Sequence, residues 1–344
     1  MLHRRYNYDK QSILELNDLQ VRLRDLVAHK VDIGSYNFED VECCVCKVSQ
    51  TELLAKKDRY GLKLSVVICE NCGLIFTNPR MNQNSYARFY DSEYRDLYHG
   101  YKAPFKDLFD EQLIRAGKIT RFLVEISVNF EGKHIFEVGC GAGGILEHFR
   151  AQYNCQVAGC DFGSEGVRYG VENHLLHIQE GDLENIRLQW KPDIIIYSHV
   201  FEHILDLNKE CQKIRACLGE NGGVYIEIPS VKNIRLVYKW DFLRLLQNAH
   251  TYHFTLRTLR NVMEKNGFAF VGGNEFAQAY FVKGALASSI ENDYNDVMNF
   301  LKRTEFLRPF RRVFKYMHSL KILGISLLGK YRLRGIANNV FYKS

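Results

Sequence analysis

Between residues 134 and 228 the sequence alternates short apolar runs with longer amphipathic segments, and this alternation constrains the fold most. Strand-like runs fall at 134–138, 156–160, 176–179, 193–198 and 223–228, with enough residues between them for helices. A parallel strand cannot return to its neighbour by a tight turn and needs a crossover, usually a helix. The pattern therefore predicts an α/β chain with a parallel sheet and helices on both faces. "DIIIYS" (193–198) is apolar on both faces, as an interior parallel strand should be. "GFAFVGG" (267–273) and the terminal "NNVFYKS" (338–344) are expected as the last strands, with a mostly helical insertion between them.

At 344 residues, 46% hydrophobic and 25% charged, the chain has room for one large α/β domain with small appendages. An apolar stripe at Ile13, Leu16, Leu19, Leu23, Leu26 and Val27 predicts a helix over 9–30, within an N-terminal part of 1–40. A cysteine-bearing module is expected over 41–80, a tyrosine-rich linker or lid over 81–104, and the main domain over 105–344. No 18-residue apolar run exists, and "MLHRRYNYDKQSILELND" lacks an apolar signal core, so a cytoplasmic location is expected. In that setting the ten cysteines read as thiols and metal ligands rather than disulfides.

Cys43-x-x-Cys46 and Cys69-x-x-Cys72 stand 22 residues apart with "KLSVVI" between them. A two-residue gap lets both sulfurs of a knuckle turn toward one ion, and two knuckles complete a tetrahedral site. The segment resembles a zinc ribbon holding structural Zn2+, because four protein ligands leave no open position. Cys44 has the wrong phase for the knuckle.

"IFEVGCGAGG" runs from strand to acid to Gly139-x-Gly141-x-Gly143 and then to a helical segment. Glycines let the backbone turn tightly against a ligand. "GCGAGG" also satisfies the dinucleotide spacing G-x-G-x-x-G, so spacing alone leaves two cofactors open. Three acids narrow the choice. Glu137 precedes the loop, Asp161 closes the second strand where a carboxylate can accept ribose hydroxyls, and Asp182 follows the third.

On these residues the sequence resembles the class I S-adenosylmethionine-dependent methyltransferases over about residues 105–283. "LGENGGVYIEIPS" matches the family's fifth strand, and "HFTLRTLRNVMEKNGF" its late helix. The resemblance implies a Rossmann-like seven-stranded sheet and cofactor contacts from Glu137, Gly139, Gly141, Asp161, Asp182 and Leu183. "CENCGLIFTNPRMNQNSYARFYDSEY" resembles the segment preceding many bacterial methyltransferases of sugar and surface-polysaccharide pathways. The implied acceptor is a sugar or sugar nucleotide. The chain lacks the additional C-terminal domain of the sugar C-methyltransferases, which leaves O-methylation open beside C-methylation. An RNA methyltransferase with a zinc module and a non-catalytic zinc-ribbon interaction protein are the alternatives.

"SHVFEH" (198–203) contains H-x-x-E-H, the pattern of an inverted zinc protease. At the end of "DIIIYS" it falls instead at the carboxyl end of the fourth strand, where open α/β sheets bind ligands. His199 is placed as a general base for an acceptor hydroxyl. Glu202 and His203 are open to two readings, as a pair packed against the cofactor edge or, with His199, as a divalent-ion site. The second follows a resemblance to the ubiquinone-pathway O-methyltransferases. His253, in "NAHTYHFT", is a second candidate on the substrate side, with Thr255 as the next helix's N-cap. Tyr86, Tyr90, Tyr94, Tyr98 and Tyr101 form a helical stripe, from which Tyr90 and Tyr94 are expected to reach the site.

The net charge of +6 belongs to one end of the chain. Residues 302–344 carry eleven Lys/Arg and one acid, so the rest is about −4. A basic helical insertion over about 286–335 can meet anionic membrane. Specific nucleic-acid binding is not expected, since the positive charge does not extend over the other modules.

Overall fold

The computed structural model describes residues 1–311 apart from 102, 103, 185, 187 and 277. Asn17 starts the first helix by a closed capping box, accepting the Gln20 N–H while the Gln20 side chain accepts its own. Helix α1 therefore spans Asp18–Asp32, shorter than the expected 9–30. Residues before it are tied elsewhere: Lys57 Nζ lies 2.7 Å from Asp9, and the Ile13 N–H donates to Arg59 O at 3.0 Å.

Strands β1 (Phe38–Glu39), β2 (Thr51–Lys57), β3 (Lys63–Cys69), β4 (Ile75–Thr77) and β5 (Arg80–Met81) follow. β2, β3 and β4 form an antiparallel sheet, and β1 pairs with β5. Helix α2 (Gln83–Phe89) then passes through a π-helical turn, Tyr90–Tyr94, into α3 (Arg95–His99). The turn keeps the tyrosines on one face: successive ring centroids from Tyr86 through Tyr98 lie 5.5, 4.4 and 6.0 Å apart.

The main sheet begins after helix α4 (Phe105–Glu125). Its strands and crossovers run β6 (His134–Val138), α5 (Gly144–Tyr153), β7 (Gln156–Asp161), α6 (Ser164–His174), β8 (Ile178–Glu180), β9 (Ile194–Ser198), α7 (Leu207–Cys217) and β10 (Gly223–Glu227). Strand β11 (Tyr252–His253) leaves this sheet and pairs antiparallel with β4, extending the cysteine module's sheet to four strands. Helix α8 (Leu256–Lys265) starts at Thr255, which closes a capping box with Thr258. β12 (Phe268–Gly273) and β13 (Gln278–Lys283) complete a seven-stranded sheet in the order β12-β13-β10-β9-β6-β7-β8.

β13 alone runs antiparallel to its neighbours. It fills the place expected for "NNVFYKS", which lies outside the described residues. A hairpin closed by the Asn274 N–H on Gln278 O (2.9 Å) brings β13 straight back beside β12. Helix α9 (Tyr294–Leu307) is the described part of the expected helical insertion, and the basic run from residue 312 onward lies outside the described residues. α9 packs with β2, β3 and the segment 231–246 around Leu54, Val66, Ile234, Leu246 and Val297.

Two apolar cores flank the main sheet. One joins α4, α5 and α6 to it through Phe109, Ile119, Ile145, Leu146 and Val167. The other runs without a break from Phe136, Tyr197 and Phe281 through α7 and α8 to Cys43, Leu74 and Phe76. The cysteine module is thus built into the main domain's core.

Candidate active site and metal centres

The chain direction across the sheet reverses between β6 and β9, and the loops leaving the carboxyl ends there define the site. After β6, residues 139–143 turn into α5. Gly139 has φ +69°, and a Cβ there would stand 2.3 Å from the Val200 side chain. A Cβ on Gly144 would stand 2.2 Å from Phe109 O, so α4 lies directly on the first turn of α5. Gln112 of α4 clamps the loop: its Nε2 donates to Cys140 O at 2.9 Å and its Oε1 accepts the Gly144 N–H at 3.1 Å. No sequence motif marks Gln112.

Glu137 is 1% exposed, and its Oε2 has no hydrogen-bond partner among the described residues. Burial pushes its carboxyl well above the usual range. Asp161 turns into the loop, accepting the Gly141 N–H at 2.8 Å and the Gly163 N–H at 2.7 Å. Burial raises its pKa against these bonds. Asp182, beyond β8, accepts Lys213 Nζ at 2.8 Å, while Leu183 beside it is buried in the core. An orphaned buried oxygen beside a glycine cradle fits a nucleoside cofactor, and each Asp161 oxygen keeps a second lone pair for a hydroxyl.

His199 follows Ser198 in the left-handed conformation (φ +57°), uncommon for a residue other than glycine, and its N–H donates to Glu227 O at 2.8 Å. The ring is 38% exposed, with Nδ1 3.7 Å from Oε1 of Glu202. Phe201–His203 is a single 3-10 turn, unlike the long helix that a zinc-protease motif needs. The loop before β11 docks here, because the Thr251 N–H and hydroxyl both donate to Glu202 O (2.9 and 3.1 Å). That contact brings His250 beside Glu202, a meeting the motif spacing gave no hint of.

His203 and His250 are buried, and burial lowers both pKa values. His253 sits in β11, 2% exposed, with its ring 5.8 Å from that of His250. Neither of its ring nitrogens has a partner among the described residues, and burial pushes its pKa down to about 3. The Tyr90 and Tyr94 rings lie against His203 at 5.5 and 5.6 Å. Tyr86 reaches the same place, its hydroxyl donating to Ala249 O at 2.5 Å.

The four sulfurs of Cys43, Cys46, Cys69 and Cys72 lie within 4.8 Å of one another. Both knuckles have the same backbone. The Cys43 N–H donates to Val48 O and the Cys69 N–H to Leu74 O, while Cys43 O and Cys69 O accept from Lys47 and Gly73. Lys47 (φ +56°) takes the left-handed conformation that Gly73 (φ +79°) takes in the second knuckle. Four converging thiols suit a closed tetrahedral zinc site. Cys44 points away, toward Tyr252 and Cys211.

The sheet ordered β8-β7-β6-β9-β10-β13-β12 with one antiparallel strand, a glycine loop after β6 and acids at the end of β7 and beyond β8 form an open α/β fold with a ligand crevice at its switch point. Residues 109–271 match the family described as "Methyltransferase domain". Over those residues, just under half of its length, the chain is similar to methyltransferase domains. Solved structures of similar fold include DesVI of Streptomyces venezuelae, at 18% identity and TM-score 0.32 over 38% of this chain. The chain spans 59% of the length of DesVI. An S-adenosylmethionine-dependent methyltransferase of Clostridium acetobutylicum is matched at 14% identity and TM-score 0.38, over 59% of this chain and 99% of its own. The sugar N-methyltransferase KedS8 of Streptoalloteichus is matched at 15% identity and TM-score 0.29, over 33% of this chain and 47% of its own. No curated protein matches. Among the described residues no helix is long and apolar enough to cross a membrane.

Proposed function

We propose that the chain transfers a methyl group from S-adenosylmethionine to a hydroxyl of a sugar or nucleotide-linked sugar. The observation that carries the mechanism is the position of His199, half-open at the carboxyl end of β9 and 3.7 Å from a buried carboxylate. When bound, the cofactor supplies an electrophilic methyl group. The glycine loop and Asp161 hold its nucleoside, with Glu137, Asp182 and Leu183 as further contacts. His199 takes the proton of the acceptor hydroxyl, which is a poor nucleophile until that proton leaves. The Glu202 carboxyl lies behind the ring, 3.7 Å from its Nδ1. Tyr90, Tyr94 and His253 line the approach to His203 and His250 and shape the acceptor side. Cys43, Cys46, Cys69 and Cys72 hold Zn2+ in a structural role.

The sugar class rests on the resemblance of the segment following Cys69 to its counterpart in sugar-pathway methyltransferases. The test is incubation of the purified chain with isotope-labelled S-adenosylmethionine and a panel of nucleotide-linked sugars, followed by mass spectrometry. One added labelled methyl on a sugar is the expected product. Label entering RNA while every sugar stays unmodified would replace the acceptor class.

A further inference from the structure

Glu202 is 2% exposed, and neither carboxylate oxygen has a hydrogen-bond partner among the described residues. A carboxylate taken out of water without a partner costs several kcal/mol, so it calls for a compensating charge beside it. What faces it is ring nitrogen. Oε1 stands 3.8 Å from His203 Nε2, 3.9 Å from His250 Nε2 and 3.7 Å from His199 Nδ1.

The two buried rings present lone pairs toward the carboxylate. His203 Nδ1 lies 2.8 Å from Ala249 O, which can only accept, so the proton is on Nδ1 and Nε2 is bare. A backbone carbonyl holding the far nitrogen is how ligating histidines are commonly oriented. His250 Nε2 accepts from the side-chain amide nitrogen of Gln247, so the ring's lone pair is on Nε2, and a bound ion takes it in place of that hydrogen bond. The amide oxygen of Gln247 is engaged by Arg59 at 2.5 Å. One carboxylate and two lone-pair nitrogens thus converge within 4.8 Å, all buried. His199, although it belongs to the H-x-x-E-H run, is outside this group. His250, 48 residues along the chain, is inside it.

We infer that Glu202, His203 and His250 bind one divalent transition cation of the zinc class, distinct from any ion at the four cysteines. Imidazole with a carboxylate suits zinc and its neighbours, whereas magnesium takes oxygen ligands. Three protein ligands leave a position open, as catalytic sites do. His199, on the exposed side of Glu202, marks that opening toward the carboxyl end of β9. If the methyltransferase reading holds, an acceptor hydroxyl takes the open position. Its O–H bond would then break with the proton going to the His199 ring, and the oxygen's electron pair would form the new C–O bond as the methyl–sulfur bond breaks and S-adenosylhomocysteine leaves.

The test counts metal directly on the full chain. After equilibration with Zn2+ and removal of loose ion, elemental analysis should give two equivalents per chain. Glu202→Gln and His250→Gln should each give one, with S-adenosylhomocysteine affinity unchanged as evidence of an intact fold. One equivalent in the wild type, or two in both variants, overturns the site. Should the variants fail to fold, the Co2+-loaded wild type decides. Nitrogen- and oxygen-ligand visible bands beside the thiolate charge-transfer bands support the site, and thiolate bands alone overturn it. Two equivalents in a wild type that binds no S-adenosylhomocysteine would count against the methyltransferase reading and leave the metal site standing.

Discussion

His199 Nδ1 stands 3.7 Å from Oε1 of Glu202, too far for a hydrogen bond in the neutral state and close enough for an ion pair once the ring gains a proton. The relationship is asymmetric: the ring is 38% exposed and the carboxylate 2%. Under the proposed function, an acceptor can reach the ring, while the carboxyl behind it is shut off from solvent. His199→Ala should therefore lower kcat roughly 10²-fold or more, while S-adenosylhomocysteine affinity changes little. Steady-state kinetics beside calorimetry would show it. Equal losses in turnover and cofactor affinity would make the residue part of the cofactor pocket instead.

Gln112 sets up a second prediction. Gln112→Ala removes a donor from Cys140 O and an acceptor from the Gly144 N–H, both within the loop. Each buried group left unpaired costs about 1–3 kcal/mol. The variant should melt earlier and bind S-adenosylhomocysteine more weakly. An unchanged melting temperature would mean that the loop holds its shape without the clamp.

Much of the fold could be read in advance because buried parallel strands are apolar runs, and β6, β7, β9 and β10 begin and end within a residue or two of those runs. The glycine loop and the paired cysteines could be read for a similar reason, since each is a local spacing tied to a local backbone shape. What could not be read is where distant segments meet. β11 is two residues long and has no periodicity, yet it stitches the cysteine module to the main domain. His250 reaches Glu202 only because Thr251 donates to the Glu202 carbonyl, a contact no spacing encodes. β13 was hidden behind a short hairpin, and the first helix started late because Asn17, not the apolar stripe, sets its beginning.

The β11–β4 pairing gives the third prediction. Loss of metal from the four cysteines should not stay within residues 41–80. Cys69→Ser or Cys72→Ser should cost on the order of 5 kcal/mol or more, since binding free energy at such sites is folding free energy. Hydrogen exchange should rise at Tyr252 and His253 as well as in β3 and β4. Exchange confined to the cysteine module would show that the two parts fold independently.

His253 sets a pH dependence. Burial first, then the charge of His203, holds its pKa at about 3 against an ordinary 6.5, so the folded chain binds fewer protons than the unfolded one between those values. Stability is full above pH 6.5 and falls as pH drops through that range, by up to about 1.4 kcal/mol per unit. His203 and His250, also lowered, act in the same direction. Asp58 opposes them, because burial raises its carboxyl to about 6 and it gains protons on folding between 3.8 and 6. Melting temperatures between about pH 7.5 and 6 avoid most of that opposition. The decline should be shallower in His253→Gln than in the wild type. Equal slopes would show that His253 already carries its proton when folded.

Isothermal titration of the intact chain with S-adenosylhomocysteine and with NAD, repeated in Asp161→Ala, addresses the methyltransferase account most directly. Asp161 turns one oxygen to Gly141 of the glycine loop and the other to Gly163 before α6, at the place where either cofactor's ribose would lie. The wild type should bind S-adenosylhomocysteine and not NAD, and Asp161→Ala should weaken that binding by about 1–3 kcal/mol. Binding of NAD with none of S-adenosylhomocysteine would contradict the account.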